Sequence, residues 1–139
     1  HRDLHSFPTR RSSDLHPTEI EATMKSVELY DNLTNFNNRI VLWQPHKYSR
    51  TSDNLEGFKK CFRRCDELII LPLWTVAGEK KIDIDFEKEF ASYNPIFADR
   101  VVSYKGKIEL IKDDKIIKTY DEGIFLGVGA GDITYQLRY

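Results

Sequence analysis

The sequence predicts an α/β fold, a mostly parallel sheet flanked by helices, and two observations carry this prediction. Three short apolar runs are typical of strands buried on both faces: RIVLW at 39–43, DELIILP at 66–72 and GIFLGVG at 123–129. Amphipathic helical segments lie between strands, and alternation of strand and helix along a chain favours parallel pairing. We expect the crossovers between parallel strands to be right-handed.

The first helix is predicted to begin at Pro17, since proline suits the first helical position and acidic residues follow it in the first turn. Ile20, Met24 and Val27 recur at helical spacing and predict one apolar stripe. A polar, Asn-rich segment over 31–38 is predicted to be the loop that leads into the first strand.

Two more helices are predicted, one from about Thr51 to Arg64 and a shorter one over 86–93. Their inner faces are apolar: Leu55, Phe58 and Phe62 in the first, Phe86 and Phe90 in the second.

The last third of the chain is predicted to be richer in strands. Two β-leaning runs over 107–120 flank Asp113 and Asp114, which indicates a hairpin. The strand at 123–129 is followed by a turn and a terminal helix over 129–138, with Asp132 as a candidate N-cap.

The composition is that of an ordinary soluble domain, with 139 residues, 40% hydrophobic and 31% charged. No apolar stretch approaches the length of a membrane span. The formal net charge of −1 does not indicate bulk attraction to nucleic acid. We therefore expect one domain with no membrane span and no nucleic-acid partner.

Residues 1–15, HRDLHSFPTRRSSDL, show neither a helical nor a strand period and are expected to be disordered. One interpretation is a targeting tail. We prefer another, because FPTRRSSDL is what a common short-read sequencing adapter encodes when translation runs through it. We therefore hypothesise that residues 1–15 are adapter read-through joined to a truncated gene, and that residues 16–139 are the domain.

The two cysteines, Cys61 and Cys65, are predicted to lie on consecutive turns of the second helix. A zinc site would need two further ligands nearby, and none is apparent. Two thiols are also too few for a disulfide framework. We expect reduced thiols near the core of a cytoplasmic protein.

Unusual residues follow the predicted strands where those strands end. The loops are QPHKYSRT at 44–51, WTVAGE at 74–79 and GVGAGD at 127–132, and the first helix begins nearby at His16. Because ligands collect at the carboxyl ends of strands in open α/β sheets, we expect these loops to converge on one edge.

The loop QPHKYSRT has the composition of an anion site. Arg50 can bind a carboxylate or phosphate through two parallel hydrogen bonds, and His46 and Lys47 add donors and positive charge. The alternative is structural: Ser49 or Thr51 caps a helix, and the cations are solvated. The residues alone leave both interpretations open.

The other loops are less specific. On the pattern alone, Gly129 and Gly131 fit a tight turn that packs a strand against a helix better than they fit a nucleotide loop. Glu79 likewise fits a solvated loop acid better than a catalytic one. No G-x-x-G-K-[ST] phosphate loop is present, so if ATP is used its main cradle lies outside this chain.

Four segments in order, HPTEIEAT, QPHKYSRT, AGEKKI and GAGDI, resemble the C-terminal domain of the UDP-N-acetylmuramate–L-alanine ligase family, the alanine-adding Mur ligases. The resemblance covers residues 16–139 and is weakest over 95–120. It implies a Rossmann-like C-terminal domain, preceded in the family by a UDP-sugar domain and a central ATPase domain.

The resemblance implies ATP-dependent joining of L-alanine to UDP-N-acetylmuramate through an acyl phosphate, in peptidoglycan synthesis. ATP and Mg²⁺ would be bound mainly by the central domain, so this chain alone is predicted to be inactive. The residues implied to bind the alanine carboxylate or the transferring phosphate are His46, Lys47, Arg50 and His16. Those implied to lie near the nucleotide are Gly129, Gly131, Asp132 and Glu79. Lys47 stands where the family usually has arginine, which puts a two-point contact at that place in question. No residue is predicted to act as a catalytic group or as a metal ligand.

Two other functions stay open. The chain could be a non-catalytic nucleotide- or phosphosugar-binding module, or part of the sister ligase that adds a peptide to muramate. QPHKYSRT argues against the sister ligase, since that enzyme differs at this loop.

Overall fold

The structure is a computed structural model that describes residues 4–6, 16–36 and 38–129, the first three by their backbone alone. Eight strands lie within these ranges: Leu4–Ser6 (β1), Arg39–Gln44 (β2), Glu67–Ile70 (β3), Ile96–Phe97 (β4), Arg100–Tyr104 (β5), Lys107–Lys112 (β6), Lys115–Tyr120 (β7) and Gly123–Gly129 (β8). The helices of the same ranges are Pro17–Thr34 (α1), Tyr48–Asp53 (α2), Leu55–Cys61 (α3) and Phe86–Glu89 (α4).

The main sheet is parallel throughout, as the sequence predicts. Its strand order is β1, β8, β2, β3, β4, and every neighbouring pair runs in the same direction. The three predicted buried strands are β2, β3 and β8, which form the centre of the sheet. All seven residues of β8 are buried, which explains its continuous apolar sequence.

The two faces of the sheet carry different partners. Side chains alternate along β2, so that Val41 and Trp43 pack in one cluster while Ile40 and Leu42 pack in another. The first cluster contains the apolar faces of α1 and α3. The second contains Ile108 and other residues of a separate antiparallel sheet made of β5, β6 and β7. Helices therefore cover one face, and this small sheet covers the other.

The predicted hairpin is confirmed. Strands β6 and β7 pair antiparallel across Asp113 and Asp114, whose φ angles are 52° and 61°. Two consecutive positive φ angles are typical of the tight turns that match the twist of hairpin strands. Strands β4 and β5 were not predicted from the sequence.

Helix α1 shows the predicted stripe, since Ile20, Met24 and Val27 are all buried. It continues to Thr34, beyond the point where a loop is predicted. Asp31 in this extension is only 4% exposed, and its carboxylate accepts a 2.7 Å hydrogen bond from Nε of Arg39, which ties the last turns of the helix to β2. Asn35 then ends the helix in the left-handed conformation.

The single helix predicted from Thr51 to Arg64 is wrong in its bounds and its continuity. The segment begins at Tyr48 and is divided into α2 and α3 by Asn54, whose φ and ψ are −112° and 18°. The side-chain amide of Asn54 donates to the Arg50 carbonyl, and so does its backbone N–H. Such local side-chain bonds compete with a continuous helix.

The break also changes the position of the cysteines. Cys61 is the last residue of α3, and Cys65 lies beyond the helix, so the two thiols are not on consecutive turns. Both are free, as predicted. The third predicted helix is likewise interrupted, with α4 followed after Phe90 by a 3₁₀ turn over Ala91–Tyr93.

Three residues of the amino-terminal segment, Leu4–Ser6, pair in parallel with β8 from Gly123 to Phe125. The prediction that residues 1–15 lack regular structure therefore does not hold at these three. The edge of β8 presents backbone N–H and C=O groups that any extended segment can pair with, whatever its side chains. The pairing carries no information about the origin of the segment, and the adapter hypothesis stays a prediction.

An aromatic cluster fixes the end of β2, just before the predicted anion loop. Trp43 is 2% exposed and is surrounded by four phenylalanine rings with centroids at 5.0 to 5.9 Å: Phe58, Phe62, Phe86 and Phe90. Such burial of large rings dominates core stability. Among the described helices, none is long and apolar enough to cross a membrane.

Candidate functional site

The carboxyl ends of the central strands lie on one edge of the sheet. Gln44, the last residue of β2, is in register with Gly129, the last residue of β8. Trp43 is in register with Ile70, the last residue of β3. The loops after these strands therefore leave from the same edge, where the sequence analysis expected them to converge.

Position 129 requires glycine, because the backbone of Gln44 packs directly against it. Its φ is 139°, which side-chain-bearing residues rarely adopt, and a Cβ at this position would overlap the carbonyl oxygen of Gln44. This geometry matches the structural interpretation of that glycine. Gly131, Asp132 and the predicted terminal helix lie outside the described residues.

The loops after β2 and β3 are joined by their backbones. The N–H of Lys47 donates to the Trp74 carbonyl at 2.9 Å, and the N–H of Trp74 donates to the Pro45 carbonyl at 2.7 Å. His46 and Trp74 form a parallel bridge through these bonds. The two loops thus continue the pairing of the sheet beyond the ends of its strands.

The chain turns sharply at Lys47. This residue has φ 65° and ψ 134°, a combination that is sterically costly for a residue with a Cβ. Its carbonyl accepts two bonds from Thr51, one from the backbone N–H at 3.2 Å and one from the hydroxyl at 2.8 Å. Thr51 is 1% exposed, so the turn is held from inside the protein.

The caps that the structural interpretation proposed are not formed. Lys47 is the residue that precedes α2, and no side chain caps that helix end from there. The Thr51 hydroxyl donates to a carbonyl within the first turn and does not accept from a backbone N–H. Of that alternative, the capping by Ser49 or Thr51 is wrong.

Glu79 lies against the start of α2. Its Oε2 accepts hydrogen bonds from the Ser49 N–H at 3.2 Å and from the Ser49 hydroxyl at 3.3 Å. Partial burial raises the pKa of the Glu79 carboxyl, but bonds from the N–H groups of Ser49 and Tyr48 and the charge of Lys47 outweigh it. The pKa therefore lies below the ordinary value of 4.5, and the group is ionised at neutral pH.

The cationic residues are gathered within one turn of chain. His46, Lys47 and Arg50 are each partly buried, whereas Ser49 is exposed. The imidazole, ammonium and guanidinium groups that this short stretch of chain carries are donors of the kind that suits the oxygens of a carboxylate or phosphate. The Glu79 carboxylate, which interacts with the charge of Lys47, offsets part of the positive charge of this stretch.

His16 is the residue that precedes α1, and its carbonyl accepts from the N–H groups of Glu19 and Ile20. Because Asp31 near the end of α1 binds Arg39 at the start of β2, the helix runs back against the strand. Its beginning therefore points toward the carboxyl edge of the sheet. His16 is exposed and available on that side.

Gln44 is a residue of this edge that the sequence analysis did not select. It is 7% exposed, and its Nε2 donates to the Pro72 carbonyl at 3.3 Å. The sequence signal that could have identified Gln44 is its position, since it is a polar residue directly after a continuous apolar strand. Ser49 was considered only as a cap, although its contact with Glu79 gives it a larger part in the loop.

A cleft of about 170 Å³ opens beside the end of β3. Its walls are largely apolar, with Phe86 and Phe97, and it also has Asp99 and Lys112 at its border. Within the described ranges, no group of three or more His, Cys, Asp or Glu side chains is placed to hold a metal ion.

Three of the known proteins to which this chain is similar in sequence share one name. A UDP-N-acetylmuramate–L-alanine ligase from Helicobacter pylori is 54% identical over 125 residues, covering 88% of this chain and 28% of the relative. One of the same name from Campylobacter curvus is 47% identical over 123 residues, with the same coverage of both. A third, from Campylobacter jejuni subsp. doylei, is 36% identical and covered to 27%. No family profile matches the chain.

Among solved structures, the chain is similar to UDP-N-acetylmuramate-alanine ligase MurC from Thermotoga maritima. The TM-score is 0.51 at 17% identity, covering 96% of this chain and 25% of that one. At this identity the likeness shows the fold alone. The chain spans about a quarter of the length of the relatives it matches, and is thus homologous to one part of the UDP-N-acetylmuramate–L-alanine ligases.

Proposed function

We propose that this chain is part of an ATP-dependent ligase that joins L-alanine to UDP-N-acetylmuramate, and that it supplies the cationic edge at which the joining takes place. The observation that supports this most is the 54% identity to a ligase of that name, together with a sheet edge that gathers His46, Lys47 and Arg50. We propose that residues 16–139 form the domain that carries this role.

The reaction places demands that these residues fit. A muramate carboxylate oxygen attacks the γ-phosphorus of ATP, the bond to ADP breaks, and an acyl phosphate forms. The amine of L-alanine then attacks the acyl carbon, a proton leaves the nitrogen, and phosphate departs as the amide forms. Negative charge builds on phosphate oxygens and on the tetrahedral carbon, and fixed cationic donors stabilise such charge.

The roles of individual residues follow from their chemistry. Arg50 binds the alanine carboxylate through two parallel hydrogen bonds, because guanidinium and carboxylate match in shape. His46 and Lys47 donate to the phosphate oxygens as the acyl phosphate forms and breaks. His16, exposed at the beginning of α1, adds a donor on the same side. Holding the amine and the acyl carbon together lowers the entropic part of the barrier.

The nucleotide is proposed to approach the loops at Gly129 and Glu79, with Gly131 and Asp132 following in the sequence. The gathered side chains are cationic and fit phosphate oxygens, whereas Mg²⁺ prefers carboxylate and water oxygens. Mg²⁺, which shields the phosphate charges, is therefore proposed to bind mainly outside this chain. Because ATP and Mg²⁺ are proposed to bind mainly outside residues 16–139, we propose that these residues alone are inactive. We also propose that they act together with the rest of the ligase, and that the ligase is cytoplasmic.

A chimera tests the proposed function. The segment of the Helicobacter pylori ligase that matches this chain is replaced by residues 16–139, and ADP release is measured with both substrates present. We expect ADP release that requires both UDP-N-acetylmuramate and L-alanine, with the alanine adduct identified by mass. The same ligase without the segment serves as the control and is expected to be inactive.

A folded chimera that binds ATP but forms no adduct would contradict the proposal. Nucleotide binding by residues 16–139 alone, with no adduct from the chimera, would instead favour the non-catalytic binding module.

A further inference from the structure

Two loops of the candidate site are held together without any regular element between them. The turn that carries His46 and Lys47 pairs through its backbone with Trp74. Ser49, four residues after Pro45, donates a hydrogen bond to Glu79. The Glu79 carboxylate reaches Ser49 across 30 positions of sequence and bonds it twice. The contact thus fixes the far end of the same turn that the backbone bonds fix at its near end.

The turn needs this support. At φ 65° and ψ 134°, Lys47 is in a region that a residue with a side chain occupies only when its surroundings impose it. Its N–H is held by Trp74, and its carbonyl by Thr51. Bonds at Ser49 prevent the following residues from rotating back toward a relaxed conformation.

The negative charge of Glu79 also favours the turn at Lys47. Lys47 and Arg50 place two positive charges within four residues, and the Glu79 carboxylate, which interacts with the charge of Lys47, offsets part of their repulsion. Glu79 accepts hydrogen bonds from the backbone N–H and the hydroxyl of Ser49.

We infer that Glu79 is a positioning residue: its carboxylate, through Ser49, holds the turn over 45–49 so that His46, Lys47 and Arg50 face an incoming carboxylate or phosphate. This inference rests on the proposed function for the identity of that anion. This role is additional to the proposed approach of the nucleotide to the Glu79 loop, because here Glu79 acts on the anion-binding turn through Ser49.

The position of the turn can be tested on the full 139-residue chain by NMR, independently of the reaction. In the wild type, the Ser49 amide shift should titrate with an inflection below pH 4.5, in step with the Glu79 carboxyl. Glu79→Gln should abolish the inflection, and Glu79→Ala should lower the ¹⁵N heteronuclear NOE of the Lys47 to Arg50 amides. Glu87→Gln, an exposed acid of α4, is the matched control and should change neither measurement.

The kinetic consequence is tested in the chimera. Glu79→Ala should raise the KM for L-alanine about tenfold, with a smaller change in the KM for UDP-N-acetylmuramate. Glu79→Gln should lie between wild type and Glu79→Ala, because its amide oxygen still accepts from Ser49. Unchanged NOE values in Glu79→Ala would overturn the inference. So would an unchanged alanine KM in an active chimera. An inactive parent chimera would count against the proposed function alone, since the NMR result decides the role of Glu79 separately.

Discussion

The carboxylate of Glu67 accepts a 2.8 Å hydrogen bond from the hydroxyl of Tyr120, and this contact joins the parallel sheet to the small antiparallel sheet. Lys118 donates to the same oxygen at 2.6 Å, and Asn38 to the other at 3.1 Å. Three donors from two different parts of the chain thus converge on one acid at the beginning of β3.

Glu67 should give the protein an acid-dependent stability. Partial burial raises the pKa of its carboxyl, but the bonds from Lys118, Tyr120 and Asn38 outweigh it and hold the pKa below 4.5 in the folded state. The contribution of Glu67 is therefore present above pH 4.5 and is lost as pH falls through the folded pKa. Between pH 6 and pH 3, the free energy of unfolding in urea should fall less for Glu67→Gln than for the wild type. An unchanged pH profile would show that the network contributes nothing. Glu87→Gln is the control.

Asp31→Ala should be strongly destabilising. The carboxylate is almost fully buried and bonds Arg39, so its removal leaves a partly buried guanidinium without that partner. Loss of one member of a buried pair costs about 3 kcal/mol. The free energy of unfolding in urea measures the loss, and Asp53→Ala, at an exposed position, is the matched control. A loss below about 1 kcal/mol would mean that solvent replaces the pair.

Trp43→Ala should remove the centre of the aromatic cluster and cost about 4 kcal/mol of unfolding free energy. The four phenylalanine rings around it can close the resulting space only in part. Trp74→Ala is a control of the same residue type, since that side chain is 42% exposed, and should cost less than about 1 kcal/mol. Equal costs for the two substitutions would contradict the described packing.

Both thiols should react slowly with a thiol reagent in the native protein. Burial raises the pKa of the Cys61 thiol far above its usual range and that of Cys65 to about 12, so almost no thiolate is present at neutral pH. Reaction with an aromatic disulfide reagent should therefore be limited by unfolding and become fast in urea. Rapid labelling of either cysteine in the native state would contradict this.

The sequence predicted the elements that have a strong local period. The stripe of Ile20, Met24 and Val27 and the three buried strands are of this kind, and the hairpin at Asp113 has turn residues at its centre. Strand β4 has two residues, too few for any period, and the division of the helical segment depends on side-chain bonds of Asn54 that compete with the helix.

Contacts between distant residues had no local signal. The Asn-rich segment after Tyr30 was predicted to be a loop, because nothing near Asp31 indicates its pairing with Arg39. The edge at which the site loops meet could be predicted from parallel pairing alone. The bond between Glu79 and Ser49 could not, because it depends on how two loops fold over that edge.

The central claim is that cationic side chains at this edge hold the carboxylate of L-alanine, and the alanine kinetics of Arg50→Ala in the chimera test it most directly. We expect the KM for L-alanine to rise at least about tenfold, or 1.4 kcal/mol, with a lower kcat, because a charged two-point contact is lost. Arg63→Ala, an exposed arginine after α3, is the control and should leave both constants unchanged. An Arg50→Ala chimera with normal alanine kinetics would contradict the claim.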